Sequence, residues 1–329
     1  MIVDLMSLEG NKVSKDLKDY SLLITAPSGY GKTPFLYELF GDRALFLSFE
    51  KSSKGIAGIH SVDIDGYDTL NAYIMQLQRP EVRAKYDVIV IDTFFLFDHS
   101  IEKSITDSYG KDTLSDCLKY NKAYKIVDKK FLDVLKKIQR MDYGMAYVCH
   151  PVEKKVKLAD GSEITKIEPK VSDRIKDLIL PEIDVRLFCH FDAEGNKVIY
   201  TQGTPYFDAR VRVGDMEATV PFDAETFKEA FTKGIEKRIE SEMLVDNIEK
   251  KNPVSDAPRK FDDVMAEIMS LGQELATKGL VEKANMIIFK ELGSDDEGRQ
   301  RTLNDCNENM IPALEVIVQN LKALKDSVQ

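Results

Sequence analysis

Lysine and threonine stand side by side at the end of a glycine-containing run, Ala26-Pro27-Ser28-Gly29-Tyr30-Gly31-Lys32-Thr33. Glycines at 29 and 31 free the backbone to turn its amide N–H groups inward around a phosphate. Lys32 would neutralise the β- and γ-phosphate oxygens of ATP, and Thr33 would place its hydroxyl on Mg2+. The run fits the phosphate-loop pattern G-x-x-x-x-G-K-[ST], with Ala26 in the first glycine slot. Pro34 follows at once. A proline biases the residue before it, here Thr33, away from helical geometry. It is accepted in a first helical turn, where its missing N–H has no partner in any case.

Three further residues could complete the chemistry. Asp92 closes the apolar run Val88-Ile-Val-Ile-Asp92, the Walker B pattern, in which a carboxylate at a strand tip orients the metal. Glu50 follows the apolar run Ala44-Leu-Phe-Leu-Ser-Phe49, where a carboxylate beside the γ-phosphate could polarise water. A small-molecule kinase has less need of such an acid, because its nucleophile is a substrate oxygen. His150 ends Met145-Ala-Tyr-Val-Cys149 and could hydrogen-bond a γ-phosphate oxygen.

These residues need a frame that gathers strand ends. Ser21–Ala26, Ala44–Phe49, Asp87–Asp92 and Met145–Cys149 are continuous apolar runs, the signature of strands buried on both faces of a parallel sheet. Helical patterns alternate with them, for example Lys122 to Arg140 with Ile126, Phe131, Leu135 and Ile138. The alternation predicts an α/β fold with helices on both faces, whose ligands sit at the carboxyl ends of the strands. Asp184–His190 and Lys197–Thr201 flank the turn Asp192-Ala-Glu-Gly-Asn196, so the far edge of the sheet is expected to be antiparallel. Asp223 is a candidate N-cap for a helix carrying Phe227, Phe231, Ile235 and Ile239.

Lys250–Arg259 reads as a linker, and the pattern beyond it is purely helical. One stripe runs through Phe261, Val264, Met265, Ile268 and Leu271, and another through Ile311, Leu314, Ile317, Val318, Leu321 and Leu324; Gly293–Gly298 breaks between helices. The chain therefore divides into an ATPase core, 1–250, and a helical C-terminal module, 251–329.

Two long connections leave the expected ligand edge: Thr93 to about Asn121, and Pro151 to Lys170. Connections of that length are usually functional loops or disordered segments. The second carries Lys154, Lys155, Lys157, Lys166 and Lys170, which suggest a phosphate backbone as partner; a solvated β-hairpin arm is the plainer alternative. The chain as a whole, 329 residues with a net charge of −10, does not attract nucleic acid through its overall field, so such contacts must be local. Cys117, Cys149, Cys189 and Cys306 are widely spaced, without a metal or redox motif. No segment has the apolar length of a membrane span, and the acid at Asp4 does not suit a signal peptide, so a cytoplasmic protein is expected.

Lys32-Thr33, Glu50, Asp92 and His150, in that order on successive strands, resemble the RecA-type recombinase core over about residues 15 to 235. The closer likeness is to phage-encoded RecA-like P-loop ATPases of the single-strand annealing group, which are similar at His150 and at Gly203-Thr-Pro-Tyr-Phe-Asp-Ala-Arg210. Relatives tend to carry Lys where this chain has Ala209. The resemblance implies Glu50 as the water-activating base and His150 as the residue coupling ATP to the loop that follows. It implies Arg210, with Arg212 as an alternative, as a finger reaching the neighbouring subunit's site. It further implies single-stranded DNA and further copies of the chain, in a ring or filament, as partners. A single-strand-binding protein is a possible partner of the tail. The alternative reading is a P-loop motor or loader ATPase acting on a protein partner.

Overall fold

The computed structural model describes residues 10–118, 121–158, 160–248, 260–293, 299–307 and 310–326. They fall into two compact units, Met1–Val254 and Ser255–Gln329. The predicted linker Lys250–Arg259 lies outside the described residues.

The first unit is built, short helices and the two-residue strand pair Val13–Ser14 with Leu244–Val245 aside, from β1 (Leu22–Thr25), α1 (Lys32–Phe40), β2 (Ala44–Ser48), β3 (His60–Asp63), α2 (Tyr67–Leu77), β4 (Val88–Asp92), α3 (Phe94–Tyr109), α4 (Lys122–Arg140), β5 (Gly144–Cys149), β6 (Pro151–Lys157), β7 (Glu163–Pro169), α5 (Asp173–Ile179), β8 (Val185–Phe191), β9 (Lys197–Tyr200), β10 (Gln202–Thr204), β11 (Phe207–Val211), β12 (Thr219–Pro221) and α6 (Ala224–Arg238). Its twelve-stranded sheet runs β3-β2-β4-β5-β1-β8-β11-β7-β6, with β9 bridging β8 and β12 and with β10 on β11. The first six strands of that path are mutually parallel. Beyond β8 the pairings become mostly antiparallel, including the predicted β8–β9 hairpin. The fold is thus a P-loop NTPase core with a mostly parallel sheet and an antiparallel edge. Strand β5 stands between the phosphate-loop strand β1 and the Asp92 strand β4.

Alternate residues of each parallel strand enter opposite cores, which is why the runs are apolar throughout. Leu23, Leu47, Ile91 and Tyr147 join α2 to α5 on one face. Ile24, Phe46, Val90 and Val148 join α1 and α6 on the other. Asp223 caps α6 as its position suggests, accepting a hydrogen bond from the Thr226 amide at 2.8 Å.

The connection after Asp92 is not an open loop. Phe94, Phe97, Ile101 and Ile105 recur at helical spacing and are buried on one side of α3. Burying two phenylalanines and two isoleucines outweighs the polar residues between them, and the segment becomes a core helix. The connection after His150 is the β6–β7 hairpin.

The second unit contains α7 (Phe261–Thr277), α8 (Val281–Leu292) and α9 (Ile311–Asp326). Val264, Ile268, Leu271 and Leu275 pack with Leu314, Ile317, Val318 and Leu321, so these stripes form an internal core. The predicted break has Gly293 capping α8, while 294–298 lie outside the described residues.

Candidate nucleotide site

Register brings the candidate residues together. Ser48 pairs with Asp92, Asp92 with Val148, and Thr25 with Cys149. Glu50, Asp92, His150 and the 26–33 run therefore leave four adjacent strands at one edge of the sheet.

Gly29 and Gly31 adopt φ of +73° and +109°, backbone conformations that side chains strain. Gly31 is the N-cap of α1, and helix begins at Lys32. Thr33 is helical despite the following proline, because Pro34 stands in the first turn, where no intrahelical acceptor awaits its missing N–H. Tyr30 anchors the loop from below. Its buried ring sits edge-on to Phe191 and Phe222, and its hydroxyl donates to the His190 carbonyl at 2.6 Å. Burial pushes the Tyr30 phenol up to about 12, so the hydroxyl stays a donor. Lys197 ties the loop to the β8–β9 hairpin through the Tyr30 carbonyl at 2.8 Å.

The Lys32 ammonium donates to the Ala26 and Pro27 carbonyls at 2.8 and 2.9 Å. Burial lowers its pKa, opposed by the carboxylates of Asp92 and Glu50. The Thr33 hydroxyl donates to Asp92 Oδ2 at 2.8 Å. Ser52, unremarked in the sequence, donates to the same oxygen at 2.6 Å. Lys51, in the left-handed region at φ +56°, makes the turn that separates Glu50 from Ser52. Thr33, Ser52 and Asp92 form a compact set of oxygen donors, the hard ligand chemistry that suits Mg2+.

His150 connects the charged groups. Nδ1 lies 3.4 Å from Lys32 Nζ, and Nε2 lies 3.3 Å from both Glu50 oxygens. An ammonium can only donate, so a bond from Lys32 uses Nδ1 as its acceptor and leaves Nε2 as the nitrogen facing Glu50. Thr93, the first residue past Asp92, donates to Glu50 Oε1 at 3.2 Å. Glu50 is thus held from two sides, with its carboxylate a third exposed.

Other candidates lie apart from this group. Arg210 is exposed on β11, two strands from β1, without an ion-pair partner among the described residues. Arg212 is tied to Asp184 and the Pro181 carbonyl. Four of the five lysines have intramolecular partners: Lys154 with Asp173, Lys157 with Glu163, Lys166 with Glu168, and Lys170 over the Phe95 ring. Lys155 and Lys157 are exposed on the hairpin, Lys157 at 4.0 Å from Glu163. Cys149 and Cys189 are fully buried, and burial pushes both thiols up.

A strand–loop–helix phosphate cradle with an Asp-bearing strand two places away defines a P-loop ATPase. Residues 18–213 match the AAA domain family, and the chain belongs to it. ATP hydrolysis is the general activity of that family, with nucleotide usually bound together with Mg2+. Over 98% of its length the chain is 22% identical to the SPbeta prophage-derived uncharacterized protein YorG of Bacillus subtilis (strain 168), 99% of which the match covers. No described helix is long and apolar enough to cross a membrane.

Proposed function

We propose that this chain is a phage-type, RecA-like ATPase of the host cytoplasm. It assembles on single-stranded DNA, hydrolyses ATP between adjacent subunits, and promotes annealing or strand exchange. The observation that carries this reading is Glu50, held by His150 and Thr93 beside Lys32 at the carboxyl edge of the parallel strands. A carboxylate so placed serves a water nucleophile. Similarity to a prophage-derived protein along its whole length supports the phage setting.

In this reading the Gly29–Thr33 amides and Lys32 hold the phosphates. Thr33 and Asp92 would hold Mg2+, which would draw charge from the phosphate oxygens. Glu50 takes the proton of the attacking water. His150, bonded to both Glu50 and Lys32, exchanges one of these contacts for the γ-phosphate and so passes its presence to β6 and β7. Arg210 faces outward to reach a neighbour's site. DNA shifts the oligomer by binding the ATP state better than the ADP state.

Particle size tests the assembly. With a non-hydrolysable ATP analogue and an oligothymidylate, sedimentation should show large assemblies that dissociate when ADP replaces the analogue. A chain of constant size under all these conditions acts on something other than single-stranded DNA, and an ATPase working on a protein partner then takes precedence.

A further inference from the structure

The outer part of the sheet carries an aromatic and basic face that the nucleotide site does not use. Paired residues of neighbouring strands share a face, and the face alternates along each strand. On β8, Val185, Leu187 and Cys189 enter the core beneath α1 and α6, so Arg186, Phe188 and His190 face the other way. Pairing carries that side onto β9 at Tyr200, opposite Phe188, and onto β11 at Arg210, opposite Arg186.

Simple alternation would send Phe207 to the reverse side. The β10–β11 pairing is irregular, however: Gln202 pairs with Arg210 but Thr204 pairs with Phe207. Two steps against three make a bulge, which returns Phe207 to the side of Arg210. Gly203 permits it, since a Cβ there would lie 2.8 Å from the Ala209 carbonyl oxygen. The rings agree. Phe207 stacks on Phe188 with centroids 4.8 Å apart and lies 4.9 Å from Tyr200, while His190 stacks on Phe188 at 5.9 Å.

From β11 the same side continues to β7 at Ile167 and to β6 at Lys155 and Lys157. Those lysines lie two strands from Phe207 and two and four residues further along, about 12 and 17 Å away. Pairing brings Arg210, Lys155 and Lys157 to this side as cations, with Glu153 and Glu163 as anions, whereas Arg186 and Asp208 share a cavity with Lys166, Glu168 and Lys176. Asp208 is spent on Arg186, whereas Lys155 and Arg210 have no ion-pair partner among the described residues. His190, Lys155 and Arg210 are exposed, and Tyr200 and Phe207 are half-buried.

We infer that a single strand of DNA lies across this face. Its bases stack on Tyr200, Phe207 and His190, and its phosphates pass Lys155 and Lys157. Flat rings near exposed cations are the chemistry of sequence-tolerant strand binding. The local cations supply the field that a chain of net charge −10 lacks as a whole. Arg210, at the other end of β11, remains free for the neighbouring subunit. The inference rests on the single-stranded DNA reading proposed above.

The test is anisotropy titration of a fluorescein-labelled oligothymidylate with the full chain and a non-hydrolysable ATP analogue. Tyr200→Phe should bind as the wild type does. Tyr200→Leu should bind about ten-fold more weakly, the loss of one stacked base. Lys155→Glu should weaken binding and flatten its salt dependence. Thermal melting of each variant reports folding, and exposed His190→Ala reads the same surface if Tyr200→Leu unfolds. If the wild type binds and these folded variants bind equally well, this face is not the platform although the DNA reading survives. If the wild type does not bind, both fall. If Tyr200→Leu and Lys155→Glu instead change particle size without oligonucleotide, the face is a contact between copies and the inference falls.

Discussion

Glu50→Gln binds ATP as tightly as the wild type and turns it over about 10²–10⁴-fold more slowly. The substitution keeps the size of the side chain and its hydrogen bonds to Thr93 and His150, and removes only the ability to take a proton. Lys32, Thr33 and Asp92, which hold phosphate and metal in the proposed reading, are untouched, so affinity for a fluorescent ATP analogue should not move. Weakened binding would make Glu50 a ligand-positioning residue, and unchanged turnover would remove it from the chemistry. The same variant tests Arg210. Glu50→Gln and Arg210→Ala subunits, each inactive alone, should regain turnover when mixed, because some shared sites then combine an intact Glu50 with an intact Arg210. No recovery means that Arg210 does not act across subunits.

Arg174→Leu should cost about 3–5 kcal/mol of stability, the largest loss expected from a residue outside the nucleotide site. Arg174 is the second residue of α5, just past the β6–β7 hairpin, and gathers three acids from α3 and α4. It lies 3.1 Å from Asp98 and 2.9 Å from Glu102, and it also pairs with Asp128. Asp98 is buried, with Ser172 donating to its other oxygen at 2.7 Å. Burial already holds the Asp98 carboxyl above its ordinary range, against the lowering by Ser172 and Arg174. Without Arg174 it rises further, with Glu102 and Asp128 adding repulsion. A folded-state pKa above the unfolded one gives stability that is present at low pH and lost as pH rises through the folded value. The deficit, read from denaturant midpoints, should therefore shrink in acid and grow toward neutrality. Arg174→Leu with Asp98→Asn should recover part of it. A small loss that does not vary with pH would mean that the acids are already solvated and the cluster is surface decoration.

Much of the parallel core was legible because its strands are continuous apolar runs, and because a parallel sheet delivers their carboxyl ends to one edge. Lys32, Thr33, Glu50, Asp92 and His150 follow from that single fact. Lys122–Arg140 was legible for the same reason in helical form, with an apolar stripe of the right period. α3 was not, because Phe95 and His99 interrupt its stripe and the segment follows a strand tip where a loop is expected. Ser52 carries no local signal; it reaches Asp92 only through the left-handed turn at Lys51. The lysine-rich segment looked uniform in sequence. Hairpin register divides it, sending Lys154 and Lys166 to one side and Lys155 and Lys157 to the other. The bulge that turns Phe207 toward Phe188 depends on strand pairing, which no spacing within β11 encodes.

Steady-state ATP turnover of the full chain, with and without oligothymidylate, bears most directly on whether this P-loop drives a DNA-dependent cycle. Hydrolysis should require Mg2+, vanish in Lys32→Ala, and rise when the strand is added. Turnover that survives Lys32→Ala would place the chemistry elsewhere. Turnover indifferent to a large excess of oligonucleotide would leave an ATPase of this family without the proposed DNA partner.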